Sequence, residues 1–153
     1  MNHTLRLMFA VVAFVAVVSL AGSLAFAHLH EDSEDGEQVK VIGAHELKEK
    51  LDGKDAAVTV VEVTIEPGKA GLPHRHPGPG VVYVAEGEYE LGIDDQPTKI
   101  FKAGETFYEP TGCLHRVSAN PSKTSRTRLI AFVLHPRGAK EVAIPEKMDQ
   151  SHQ

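Results

Sequence analysis

Three histidines and one carboxylate have the types and spacings needed for metal chemistry. His74 and His76 are two apart in Gly68-Lys-Ala-Gly-Leu-Pro-His-Arg-His76. On an extended strand both imidazoles leave the same face, so two nitrogens converge on one point. His115 follows a Pro110-Thr-Gly112 turn on a later segment, and a closed antiparallel barrel can bring it opposite the pair. Three neutral imidazoles that leave coordination positions open form a catalytic type of metal site. Glu109 lies in Gly104-Glu-Thr-Phe-Tyr-Glu-Pro110, where alternation gives two registers. In one, Phe107 faces the core and Glu109 points inward as a ligand, a partner of a ligand or a general base; an inward acid is costly unless a charge or metal pairs with it. In the other, Tyr108 is buried and Glu109 is solvated. Glu109 and Tyr108 are therefore the candidate catalytic, proton-handling groups.

The segments that must position these residues read as short strands. Val61, Val63 and Ile65 alternate with Glu62, Thr64 and Glu66 until Pro67-Gly68, the pattern of a half-buried strand. Apolar runs follow at 81–85, 89–93, 99–102, 106–109, 114–118 and 128–134, separated by Glu86-Gly87-Glu88, Asp94-Asp95, Ala103-Gly104, Thr111-Gly112 and Asn120-Pro121. Many short strands with turn residues between them predict an all-β, antiparallel sandwich or barrel. Ahead of them, Leu47 and Leu51 four apart, a Glu46/Lys50 pair and Gly53 predict one short surface helix over 44–52.

With these residues in place, the chain resembles the cupin superfamily. The family's first motif, G-x5-H-x-H-x(3 or 4)-E-x6-G, is met by Gly68, His74, His76 and Gly87; its second, G-x5-P-x-G-x2-H-x3-N, by Gly104, Pro110, Gly112 and His115. The resemblance covers about residues 56–136 and implies an antiparallel double-stranded β-helix, or jelly roll, with a metal in its mouth. It also implies a homodimer, since cupins often bury an edge strand against a partner. Two positions depart from the pattern. Gly80, or Val81 in the longer spacing, stands where the family has its glutamate ligand, and Ala119 stands where it has asparagine, with Asn120 one place late. Cupins related to cysteine dioxygenase and some diketone and gentisate dioxygenases also use three histidines without that glutamate. A divalent ion held by three neutral rings keeps its formal charge, which favours anionic or chelating ligands. It also favours Fe(II) first, then Zn, Ni or Cu, over the harder Mn.

Composition narrows the partners. The 153 residues carry 16 Lys and Arg against 21 Asp and Glu, a net of −5, with no basic stripe of the kind that binds nucleic acid. One cysteine, Cys113, excludes an internal disulfide and reads as a buried, inert thiol. Residues 1–27 hold one formal charge, Arg6, an apolar run over 7–20 and an Ala25-Phe26-Ala27 ending. They read as a secretory signal peptide, although 7–27 is also long enough for one membrane span. The expectation is an exported, periplasmic or extracellular protein, off the membrane once cleaved. Residues 28–38, with five acids, read as a flexible linker, 39–140 as the cupin domain, and 141–153 as a polar tail. A cut after Ala27 would leave His28-Leu29-His30 at an amino terminus able to wrap square-planar Cu(II) or Ni(II); the plain alternative is a solvated tail. His135 has no partner spacing and reads as structural, His45 and His152 as surface. Arg75 and Arg116 alternate away from the metal, and Arg128 would meet an anion only if its strand faced inward.

These readings converge on an exported metal-binding cupin of dioxygenase type acting on a small anionic or chelating molecule. The alternative is a non-catalytic metal or small-ligand binding module on the same fold. A metal-free barrel with His74 or His115 as a base ranks behind both.

Overall fold

The computed structural model describes residues 36–146, and no helix occurs among them. Ten strands form two five-stranded antiparallel sheets. The strands are β1 (Glu37–Leu51), β2 (Lys54–Ile65), β3 (His74–Arg75), β4 (Gly80–Glu86), β5 (Glu88–Ile93), β6 (Lys99–Lys102), β7 (Thr106–Glu109), β8 (His115–Ala119), β9 (Thr127–Pro136) and β10 (Ile144–Pro145). One sheet runs β1-β2-β9-β4-β7, the other β10-β3-β8-β5-β6. The crossovers between sheets make the jelly roll expected from the strand pattern.

The core lies between the sheets. Val61, Ile65, Val82, Val84, Phe107, Leu129 and Ala131 meet Tyr89 and Leu91 from the facing sheet. Tyr89 stacks on Phe107 at 5.5 Å, and Phe101 tilts against Phe107 at 4.5 Å. The buried Tyr89 hydroxyl pairs with Ser118 at 2.6 Å, which offsets the cost of burying it. Residues 1–35 and 147–153, including the expected signal peptide, most of the linker and His152, lie outside the described residues.

The helix expected over 44–52 is a strand. Its residues pair with β2 down to Leu51 opposite Lys54, with Asp52 (φ 49°) and Gly53 (φ 73°) as a two-residue turn. Two consecutive positive φ values define the type I′ turn that Asp-Gly favours, because its twist matches the strands it joins. Gly53 is therefore the corner of a hairpin and not a helix stop. A lone nine-residue helix is marginal in water, whereas the hairpin pairs residues 44–46 and 50–51 with β2.

Glu37 and Gln38 belong to β1, and Ile144–Pro145 pairs with β3, so the first part of the polar tail is a strap across the strand that carries His74. Asn120, one place late for the family's asparagine, still closes the β8–β9 connection. Its buried amide donates to the carbonyls of Ile65 (3.0 Å) and Ser125 (2.8 Å), and its oxygen accepts from the Ser122 amide (3.0 Å). Removing it strands the buried Ile65 carbonyl and breaks two part-buried bonds, so Asn120→Ala is expected to cost about 1–3 kcal/mol in urea unfolding while leaving metal stoichiometry unchanged.

Candidate metal centre

β3 places His74 directly opposite His115 of β8 in the antiparallel register. His76 follows one residue past β3, and the three rings form a near-equilateral triangle with centroids 4.7–5.0 Å apart. One ligand-type nitrogen from each lies within 4.8 Å of the others. Between the two, Arg75 points away as alternation requires; its guanidinium donates to the Gly112 carbonyl (2.8 Å) and to Glu146 (3.0 Å).

The backbone sets the tautomers. His74 Nδ1–H donates to the Leu72 carbonyl at 2.9 Å, and His76 Nδ1–H donates to the Val142 carbonyl. Each leaves a lone pair on Nε2, the arrangement by which outer partners orient metal-binding histidines. Val142 lies in the strap, so the C-terminal segment holds His76 as well as β3. Sequence reasoning missed this, because nothing in the polar composition of 137–146 marks one carbonyl as a histidine partner.

His115 is 2% exposed and Glu109 4%. Within β7, Phe107 and Glu109 are buried while Thr106 and Tyr108 face out, so the register is the one that turns Glu109 inward. Its Oε2 stands 3.7 Å from His76 Nε2 and its Oε1 3.7 Å from His115 Nδ1. Tyr108, 61% exposed, lies on the outer face and takes no place among the site side chains, which corrects its candidacy as a proton-handling group. Among the described residues, two buried side-chain N or O atoms lack a hydrogen-bond partner, Glu109 Oε2 and His115 Nε2. Buried polar atoms are rarely orphaned; two lone-pair donors orphaned beside one histidine cluster fit a bound cation.

Electrostatics agree. Burial lowers the pKa of His74, brings His76 down to about 4 and His115 down to about 3, so all three rings are neutral at neutral pH, with lone pairs a metal could use. Burial also pushes the Glu109 carboxyl up to about 8. In chelator-treated protein these shifts oppose each other. As pH falls from about 6.5 towards 3–4, the unfolded chain takes up histidine protons that the folded one refuses, and stability is lost. As pH rises from about 4.5 to 8, the folded chain keeps a Glu109 proton that the unfolded one has released, and stability is lost again. With three rings against one acid, the urea midpoint of the metal-free protein is expected to peak near pH 6.5. Glu109→Gln should remove the alkaline decline; an unchanged alkaline limb in the variant would contradict this.

The remaining candidates lie elsewhere. His135 Nε2 accepts from the Thr59 hydroxyl and its Nδ1–H donates to the Pro136 carbonyl, both at 2.9 Å, a fully satisfied structural histidine. Cys113 is buried and unpaired. Arg116 donates to the carbonyls of Asp94 and Gln96, and Arg128 pairs with Glu62 and Glu86.

Comparison with known proteins agrees with this architecture. Residues 61–133 match the Cupin domain family. Two Arabidopsis thaliana proteins, germin-like protein subfamily 2 members 2 and 4, are 36% and 30% identical over 101 residues, covering 62% of this chain and 46% of each. The chain thus spans about half the length of these relatives. Among solved structures, a conserved double-stranded β-helix protein from Klebsiella pneumoniae superposes with a TM-score of 0.54 at 22% identity, over 76% of this chain and 90% of that one. Peruvianin-I from Thevetia peruviana latex superposes at 0.57 with 19% identity, over 79% and 72%. The polyketide cyclase RemF from Streptomyces resistomycificus superposes at 0.51 with 22% identity, over 75% and 74%. At such identities the likeness is one of fold. Two motif blocks on neighbouring strands, a facing histidine pair and a matching domain together identify the chain as a member of the cupin superfamily.

Proposed function

We propose that this chain is an exported metallocupin of dioxygenase type, acting on a small anionic or chelating molecule. The observation that carries the metal is the triangle of neutral rings with two Nδ1 atoms pinned on carbonyls and the remaining lone pairs unspent. His74, His76 and His115 would hold the ion, with Fe(II) the first choice on donor type. Bound there, the metal would supply Lewis acidity and order two reactants. The leader-like residues 1–27 support export.

The chain's own groups do the rest. Burial of His115 and Glu109 keeps water from competing at the inner wall. Glu109 is the buried acid beside two of the rings, placed to hold a proton when no cation is near and to give it up when one arrives.

The test is oxygen uptake by the Fe(II)-loaded protein offered thiols, diketones and catechol-like acids. Consumption stoichiometric with one of these supports the reading; silence with metal retained favours a binding module. That second reading draws on one observation: Arg75, Arg116 and Arg128 are all engaged away from the rings, which leaves no arginine among them to seat an anionic substrate.

A homodimer is proposed on the outer face of the first sheet. Val81 lies opposite both Phe132 and Tyr108, and all three are exposed together with Tyr83. The patch adjoins the free edge of β7, so a symmetric contact between two copies would cover both apolar side chains and open backbone groups. Phe132→Lys is expected to convert a dimer to a monomer in sedimentation velocity; a wild-type monomer would refute the assignment.

A further inference from the structure

We propose that Glu109 is a transposed metal ligand, reaching from β7 into the space where the family's first-motif carboxylate would enter from β4. The inference rests on the metal reading above and deepens it. Gly80 and Glu109 are direct partners in the β4–β7 register, and both are buried. A Cβ at Gly80 would lie 2.5 Å from Glu109 Oε2 and 3.4 Å from its Cβ and Cδ. A side chain at 80 and the present Glu109 conformer therefore exclude each other. Val81, the position required by the longer motif spacing, is 45% exposed on the outer face and offers no substitute.

The two carboxylate oxygens take different roles. Oε2 is buried, unpartnered and faces His76 Nε2, the nitrogen left free by the Val142 bond. It is the fourth ligand. Oε1 faces His115 Nδ1, the one Nδ1 of the three with no carbonyl acceptor. At 3.7 Å it lies beyond hydrogen-bond distance and acts on His115 through charge, a carboxylate there favouring the proton on Nδ1 and leaving the orphaned Nε2 to the metal. One residue thus supplies both an anionic ligand and an orienting partner. The consequence for chemistry is a donor set of three nitrogens and one oxygen with one formal charge cancelled, which admits harder ions such as Mn(II) alongside Fe(II) and lessens the pull on dianions.

Co(II) titration of the full chain, read by its visible d–d bands and by competition with a chromophoric chelator, tests this. Glu109→Gln keeps the volume but loses the anionic ligand. It is expected to weaken Co(II) by about 10–100-fold and to shift the d–d spectrum. Gly80→Glu alone crowds two acids into one space and is expected to weaken binding. The exchanged pair Gly80→Glu/Glu109→Val is expected to regain affinity to within about 10-fold of wild type, with the wild-type spectrum. Equal affinity and an unchanged spectrum in Glu109→Gln overturn the transposition while leaving the three-histidine site standing. A wild type that binds no Co(II), as tightly folded as His74→Ala, overturns the metal reading itself.

Discussion

His115→Ala is expected to lower transition-metal affinity by more than about 100-fold, whereas His135→Ala is expected to leave affinity unchanged and to destabilise the fold. Both side chains are buried on strands of the same barrel, at 2% and 4% exposure, so burial does not separate them. Hydrogen bonding does. His135 spends both nitrogens on Thr59 and the Pro136 carbonyl, and its loss strands the Thr59 hydroxyl at a cost of about 1–3 kcal/mol. His115 has an orphaned Nε2 facing two other rings, so in the metal-free protein its removal relieves an unmet polar group. With metal present, the same change removes a ligand whose loss should exceed the 10-fold to 100-fold effect typical of outer partners. Isothermal titration with Zn(II) or Co(II), beside urea unfolding in chelator, separates the two phenotypes. Equal metal affinity in His115→Ala would contradict the site.

Gly78→Ala is expected to be among the most damaging single-methyl changes in the chain. Gly78 sits in the buried loop that carries the backbone from His76 to β4. Its added Cβ would stand 1.9 Å from the Leu134 carbonyl oxygen and 2.8 Å from the carbonyl carbon. Those atoms are backbone of β9, which the Leu134 amide already anchors to the Pro79 carbonyl at 2.9 Å, so neither side yields cheaply. The expected cost is about 3 kcal/mol, which for a domain of this size lowers the melting temperature by roughly 10–20 °C. The loop must also move outward, taking with it His76 two residues earlier, so metal affinity should fall in parallel. A variant with wild-type melting temperature and affinity would show that the loop does not lie on β9 as described.

Much of this architecture was legible in residue pattern. Alternation located β2 and the strands from β4 to β9, and β6 and β7 begin and end where the apolar runs do. The two-residue spacing of His74 and His76 placed the site, because side-chain parity survives any twist of the sheet. Where pattern failed, long-range pairing decided. The segment at 44–51 carries helical four-residue spacings, yet an Asp-Gly corner and a waiting edge on β2 make it a strand; the turn signal was present and was outweighed by the spacing. β10 has two residues and no periodicity to read. The parity of β7 was undecidable because Phe107 and Tyr108 are both plausible core residues, and only its register against β4 shows why Glu109 turns inward: Gly80, across the ladder, leaves it room. That relation joins two residues 29 apart and has no local signature.

The most direct test is X-ray absorption at the metal edge of protein purified without chelators from the cells that make it. Three imidazoles and one carboxylate predict about one transition-metal ion per chain, with a first shell near 2.0–2.2 Å made of light atoms and the outer-ring scattering of three histidines. A spectrum without imidazole scattering, or one that His74→Ala and His115→Ala leave unchanged, would place the metal elsewhere and contradict the account.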